Sequence, residues 1–306
     1  EPEEVKKSID LGCQGIGLYR TESLFLRTNS LPSENDQYEE YAKMVEAASG
    51  LPLTIRTLDL GGDKLLDGLN QQREANPFMG FRAIRYCLSN PSVFLDQLRA
   101  ILRASAHGNM RIMLPMISGV GEVIRTKEFI AQATRELDNR GEKYDPEIPL
   151  GCMIETPAAV AICDLLAHES DFFSIGTNDL VQYLLAVDRL NNEIAFLYEP
   201  HHPAVLRSLK QVASVAEEKN LPVTLCGEIS GDPHFLPLLI GLGFDSFSAS
   251  PSMVLEMKFF ARRFNQQDVE KITREAESKF RPSEIKELIK NFYEDRVSEA
   301  SVSETL

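Results

Sequence analysis

Residues 172–189 read FFSIGTNDLVQYLLAVDR, and the change of character inside that stretch decides the fold class. Residues 172–176 form a short apolar run with no charge, the pattern of a strand buried on both faces of a parallel sheet. Gly176 and Thr177 break the run, two polar residues follow at 178 and 179, and residues 180–187 repeat apolar positions at helical spacing. A buried strand running straight into a helix is half of a βαβ unit. The turn between them lies at the carboxyl end of the strand, where α/β proteins build their sites.

The same unit recurs in both directions. Residues 15–19, 53–58, 111–116, 151–155, 223–227 and 246–250 give six further short runs, so seven parallel strands are expected. Amphipathic patterns separate them. Phe94, Leu95, Leu98, Ile101 and Leu102 line one helix face, which stops near His107-Gly108; Val205, Leu206, Leu209, Val212, Ala213 and Ala216 line another, with Pro203 near its start. The chain opens with a helix at 1–11, whereas a closed barrel of this type counts eight strands. Either the sheet is open or the first strand is absent from this stretch. The second is the reading adopted: an α/β fold of the (β/α)8 TIM type lacking its first strand. Additional helices follow at 253–264, 267–280 and 282–293, giving one domain over 1–297 and a frayed tail at 298–306. Residues 61–78 form the longest stretch without periodicity, and a loop of that length in a compact domain is functional or disordered.

Composition narrows the function. The 306 residues are 43% hydrophobic, enough for one large core. No apolar run reaches the length of a membrane span and no basic-apolar leader opens the chain, so a cytoplasmic protein is expected. A net charge of −14 disfavours nucleic acid or an anionic membrane as partner. It leaves a small anion possible, because a local arginine cluster governs within a Debye length of roughly 8 Å. The five cysteines, at 13, 87, 152, 163 and 226, show neither CxxC pairing nor zinc spacing.

Reactive groups gather at strand ends. Arg20 follows the first strand, Arg56 and Asp59 close the second, Glu155 ends the fourth, Asn178 and Asp179 follow the fifth, and Cys226 and Glu228 end the sixth. Glu155 and Asp179 are one βα unit apart, and two carboxylates suit Mg²⁺, which keeps waters and takes phosphate oxygens. The competing use of each is helix capping. Arg20, Arg56, Arg82 and Arg189 sit beside turns rather than on helix faces, and guanidinium forks grip carboxylate or phosphate. Arg82 is as readily a surface or ion-pair residue. Cys226 could protonate an enolate carbon as general acid, or be a buried structural thiol. The histidines carry little: His201 and His202 precede a helix, His107 sits at a helix end, and His168 and His234 lack catalytic neighbours in sequence. Walker A, GxGxxG and HExxH patterns are absent from the sequence.

The segments GIGLYRTESLF, IRTLDLGGDK, NPFMGFRAIR, GCMIETPAAV, FFSIGTNDLVQYLLAVDR, HPAVL, LCGEISGDP and LIGLGFDSFSASP occur in this order within residues 1–260. Together they resemble the C-terminal, phosphoenolpyruvate-binding domain of enzyme I of the bacterial phosphotransferase system. Pyruvate phosphate dikinase and phosphoenolpyruvate synthase share several of these elements and are the alternative. The resemblance implies an eight-stranded barrel that binds phosphoenolpyruvate (PEP) and Mg²⁺. By motif position it implies that Arg20, Arg56 and Arg82 hold phosphate, and that Asn178, Asp179 and Arg189 complete the substrate grip. Glu155 and Asp179 would bind the metal, and Cys226 would protonate the enolate. The family's phospho-accepting histidine lies in an N-terminal domain that nothing in this sequence matches, and through it the phosphoryl group reaches the phosphocarrier protein HPr. A homodimer is implied too, to which the apolar face at 253–264 can contribute. The 61–78 loop is expected to fold over the site and exclude water. Sugar-uptake and nitrogen-regulatory versions of the family are not distinguished by these residues.

Overall fold

A computed structural model describes residues 1–27, 31–60, 74 and 76–303, with side chains described as far as 298. Its strands are β1 (Ile16–Arg20), β2 (Leu53–Arg56), β3 (Met110–Leu114), β4 (Leu150–Ile154), β5 (Phe172–Gly176), β6 (Val223–Cys226) and β7 (Ser246–Phe247). They follow one another in sequential order in a seven-stranded sheet, and β1–β2, β2–β3, β3–β4, β5–β6 and β6–β7 are all parallel. Helices alternate with the strands, so the expected (β/α)8 TIM-type class stands, with seven strands among the described residues and extra helices at the end. The expected β5 matches to the residue. β7 is shorter than the expected run: Ser246 and Phe247 pair with β6, the Ser248 amide still donates to the Leu225 carbonyl at 2.8 Å, and the chain then enters the 3₁₀ turn Pro251–Met253.

The chain divides into two compact units, Glu1–Met153 with His168–Phe172, and Ile154–Ala167 with Phe173–Leu306. In the first, helix Pro91–Ser105 buries the expected face, and Phe94 meets Phe129 edge-on at 5.6 Å. Its polar anchor is Glu34, whose carboxylate accepts from Arg99 Nε at 2.6 Å and from Arg103 and Arg140 Nη1 at 3.0 Å each. One acidic side chain thereby ties helix Glu34–Ala47 to helices Pro91–Ser105 and Val120–Arg140. Met113, Met153 and Phe172 pack together beside Leu18, and Gly151 leaves room for Phe172, whose ring a Cβ there would approach to 2.5 Å.

In the second unit helix Pro203–Lys219 starts on His202, which accepts from the Ala204 amide, and stops at Asn220 in the left-handed region. Leu236, Met257 and Phe260 form a core with Phe264, which follows helix Val254–Ala261, and with Phe292 and Tyr293 further along the chain. The last helix, Pro282–Ser303, runs past the expected helix end at 293 and into the stretch 298–306 expected as a tail. It passes the expected boundary because residues 294–303 hold no Gly or Pro to stop it. The start of the expected tail therefore belongs to the helix, and residues 304–306 lie outside the described residues. So do residues 61–73 and 75, and with them most of the segment expected to close over a site; its far end forms a short 3₁₀ turn, Pro77–Met79.

Candidate functional site

The first unit presents a buried quartet of charges. Arg56, the last residue of β2, donates from Nη2 to Glu22 Oε1 at 2.9 Å and pairs through Nη1 with Asp59 Oδ2 at 3.0 Å. Arg82 grips the same Asp59, with Nε at 3.0 Å and Nη2 at 2.8 Å from Oδ1, and Nη2 at 2.8 Å from Oδ2. Glu22 Oε1 also accepts from the Asp59 amide at 3.2 Å. All four side chains are buried, so each charge needs its partner. Sequence reasoning found Arg56, Arg82 and the position of Asp59, but missed Glu22. The signal available was position: Glu22 lies two residues past Arg20, just beyond the carboxyl end of β1. Arg20 ends β1 in register with Arg56 and is itself exposed.

Around the quartet the backbone is held by neutral groups. Thr21 Oγ1 donates to the Arg56 carbonyl at 3.1 Å, and Gln97 Oε1 accepts from the Leu58 amide at 2.9 Å. Arg82 is the residue from which helix Ala83–Ser89 starts, and Ala83 adopts a φ of 52°. The arginines thus arrive with their guanidinium planes already oriented. That is the arrangement a bidentate anion contact needs.

The second unit carries the other candidates. Glu155 follows β4 and is 1% exposed, yet the helix cap there is Thr156, whose Oγ1 accepts from the Ala159 amide at 3.0 Å. Asp179 lies in the first turn of helix Thr177–Leu185, which starts one turn earlier than expected at Gly176 and has no side-chain cap. The N-cap positions of the two helices are thus Thr156 and Gly176 rather than the carboxylates. Arg189 Nη2 lies 3.4 Å from Asp179 Oδ1, and the Arg189 amide donates to Gln182 Oε1 at 3.2 Å.

Asn178 clasps the end of β6. Its Oδ1 accepts from the Glu228 amide at 2.9 Å and its Nδ2 donates to Glu228 Oε1 at 3.4 Å. Thr177 Oγ1 donates to the Cys226 carbonyl at 2.8 Å, and Gly227 at φ 101° makes that approach possible, since a Cβ there would fall 2.3 Å from Thr177 Oγ1. Cys226 Sγ is buried and lies 3.0 Å from Ser174 Oγ. Tyr198 donates to the Asn178 carbonyl at 3.3 Å; burial pushes its phenol up to about 12, so it remains a donor at neutral pH. Ser174 and Tyr198 were invisible to sequence reasoning, because each acts on a residue far from it in the chain or through its backbone.

Two of the histidines are held by neighbouring carboxylates and aromatic rings. His201 is bound through Nδ1 to Glu199 at 2.7 Å and stacks on Phe235, with burial lowering its pKa. His234 is bound to Asp232 at 2.7 Å and leans on Tyr293. A cavity of about 230 Å³ floored by Leu206, Leu238 and Leu242 and edged by Arg207 and Lys279 includes none of the predicted site residues.

Among the described residues no group of three or more His, Cys, Asp or Glu forms a metal cage. The fitting donor set for Mg²⁺ is a smaller one, one or two buried carboxylate oxygens completed by water and substrate. Glu155 and Asp179 are hard oxygen donors of that kind, and both are buried.

Parallel strands alternating with helices define an α/β protein, the class in which sites are built at the carboxyl ends of the strands. Residues 1–266 match the family described as "PEP-utilising enzyme, PEP-binding domain". The chain is 45% identical over 269 residues to a phosphoenolpyruvate-protein phosphotransferase of Priestia megaterium, covering 88% of this chain and 47% of that protein. It is 42% identical over 291 residues to the protein of the same name from Listeria monocytogenes serovar 1/2a, and 41% identical over 291 residues to that of Staphylococcus aureus, covering in each case 95% of this chain and 51% of the relative. The chain spans about half the length of these relatives. A citrate lyase structure from Burkholderia xenovorans LB400 aligns with 95% of this chain and 92% of its own at 14% identity and a TM-score of 0.48, a likeness too weak to decide anything. The chain belongs to the PEP-utilising enzyme family, as its PEP-binding domain.

Proposed function

We propose that this chain binds phosphoenolpyruvate with Mg²⁺ in a phosphoenolpyruvate-protein phosphotransferase, whose whole form passes the phosphoryl group to a histidine on an N-terminal domain and releases pyruvate. In that reading the histidine domain passes phosphate on to HPr as the first step of a cytoplasmic phosphotransferase system serving sugar uptake. The observation that carries the reading is family membership across residues 1–266, joined to curated relatives of that name at 41–45% identity.

The residues divide the work by chemistry. Arg20, Arg56 and Arg82 take the phosphate, and their guanidinium groups neutralise charge as the phosphoryl group departs, since positioning and electrostatics dominate such transfers. Glu22 and Asp59 hold two of those forks in orientation. Asn178, Asp179 and Arg189 complete the grip on the substrate. Glu155 and Asp179 are the residues that would hold Mg²⁺, which when bound supplies positive charge against the substrate's oxygens. Cys226 gives its proton to the methylene carbon of the enolate. A homodimer belongs to the same reading, with Leu255 and Phe259 of helix Val254–Ala261 exposed for the contact.

Calorimetric titration of the chain with phosphoenolpyruvate, with and without Mg²⁺, tests the binding claim. Binding is expected to depend on the metal and to vanish in Asp179→Asn. Equal affinity in the variant, or affinity indifferent to Mg²⁺, would remove Asp179 from the metal set. Sedimentation of the wild type beside Leu255→Glu reads the dimer.

A further inference from the structure

Ser174 is an anomaly in β5. It is 1% exposed in the run FFSIG, between buried Phe173 and Ile175. A buried hydroxyl costs free energy unless it is hydrogen-bonded. The contact found for Ser174 Oγ is Cys226 Sγ, at 3.0 Å. The sheet register explains how they meet. Ser174 pairs with Thr224 and Gly176 with Cys226, so the two strands send Ser174 and Cys226 to the same face, and Gly176 leaves the space above Ser174 open to the thiol.

Either atom can donate in this pair, and the chemistry chooses between them. A thiol that points its hydrogen at Ser174 Oγ has turned it away from any substrate carbon. A serine that donates to Sγ lets the S–H bond point away from the serine. We propose that Ser174 is a positioning residue for the protonation step, donating its hydroxyl hydrogen to Cys226 Sγ and stabilising the thiolate that forms there. The inference rests on the reading of Cys226 as the proton donor. In the step, the C2–C3 π electrons of the enolate take the thiol proton, a C–H bond forms, the S–H bond breaks, and the enolate oxygen becomes the carbonyl of pyruvate. The electron pair stays on Sγ, and Ser174 keeps its proton throughout. Neutral sulfur is a weak acceptor and a thiolate a strong one, so the serine bond tightens as the reaction proceeds. Only interactions that tighten in this way accelerate a step. A thiolate inside an apolar strand run is otherwise disfavoured by its burial.

The test is exchange of pyruvate methyl hydrogens with D₂O, followed by NMR on the chain with Mg²⁺. This is the same step in reverse: a methyl C–H bond breaks and its proton passes to the Cys226 thiolate. Ser174→Ala should slow the maximal exchange rate about tenfold to a hundredfold, as loss of a hydrogen bond to a charged group does, with KM for pyruvate within about twofold. Ser174→Thr, which keeps the hydroxyl, should restore most of the rate. If Ser174→Ala fails to fold, Ser174→Cys, similar in size with a weaker donor, should still slow exchange several-fold, roughly in line with donor strength. Full exchange in Ser174→Ala or Ser174→Cys, beside a silent Cys226→Ala, overturns the role of Ser174 and leaves Cys226 as the acid. Full exchange in Cys226→Ala, or no exchange by the wild type above a metal blank, overturns both.

Discussion

The two units hold their candidate residues by different means. In the first, Arg56 and Arg82 are locked against Glu22 and Asp59 in a buried, charge-balanced quartet. In the second, neutral contacts do most of the holding: Thr177 on a carbonyl, Asn178 on an amide, Ser174 on a thiol. Charge pairs buried together orient strongly and fail badly when one partner is lost. Neutral bonds to backbone are individually weaker, and here they tie the start of helix Thr177–Leu185 to the end of β6. In the proposed reading, arginines that grip phosphate gain from the first arrangement, and a thiol that delivers a proton gains from the second, where its neighbours are uncharged.

The contrast can be broken from either side. Cys226→Ala in the whole enzyme is expected to lower turnover by about 10²–10⁴ with little change in substrate affinity, since it removes an acid and no binding charge; steady-state kinetics with a binding titration reads both. Asp59→Asn leaves two buried guanidinium groups without a full counter-charge and should cost about 3–5 kcal/mol of stability, measured by urea denaturation. A loss near zero would mean that water or other groups already compensate the arginines. Gly227→Ala forces a Cβ onto Thr177 Oγ1 at a left-handed backbone position. It should cost about 1–3 kcal/mol and lower activity even where binding persists. Thr156→Ala removes only a helix cap beside Glu155 and is expected to cost about 1 kcal/mol, read as a small shift in melting temperature. A larger loss there, especially in metal-dependent binding, would tie the cap to the placing of Glu155.

Much of the architecture was legible because it is local. The run 172–176 and its turn into a helix were readable from hydrophobic pattern alone, and β5 ends where the glycine said it would. Arg56, Glu155, Asp179 and Cys226 could be nominated because strand ends are where such residues carry chemistry. The quartet was only half legible: nothing near Glu22 in the chain says that its carboxylate meets Arg56, 34 positions away. The same holds for Ser174 and Cys226, separated by 52 positions. The start of helix Thr177–Leu185 was misplaced because Thr and Asn are poor helix formers, and here bonds to β6 hold them in place. The terminal helix ran on past its expected end for the opposite reason, an unbroken row of residues that tolerate helix.

Periodicity and punctuation along the chain were sufficient to specify the alternation of strand and helix, and to put the reactive side chains at the strands' carboxyl ends. They act over a few residues, and a few residues are all they need. Which carboxylate balances which arginine, which hydroxyl reaches the thiol, and that Thr156 rather than Glu155 caps its helix were settled by folding. Those pairings join residues brought together only when strands stack side by side, and burial then makes each polar group take the partner within reach.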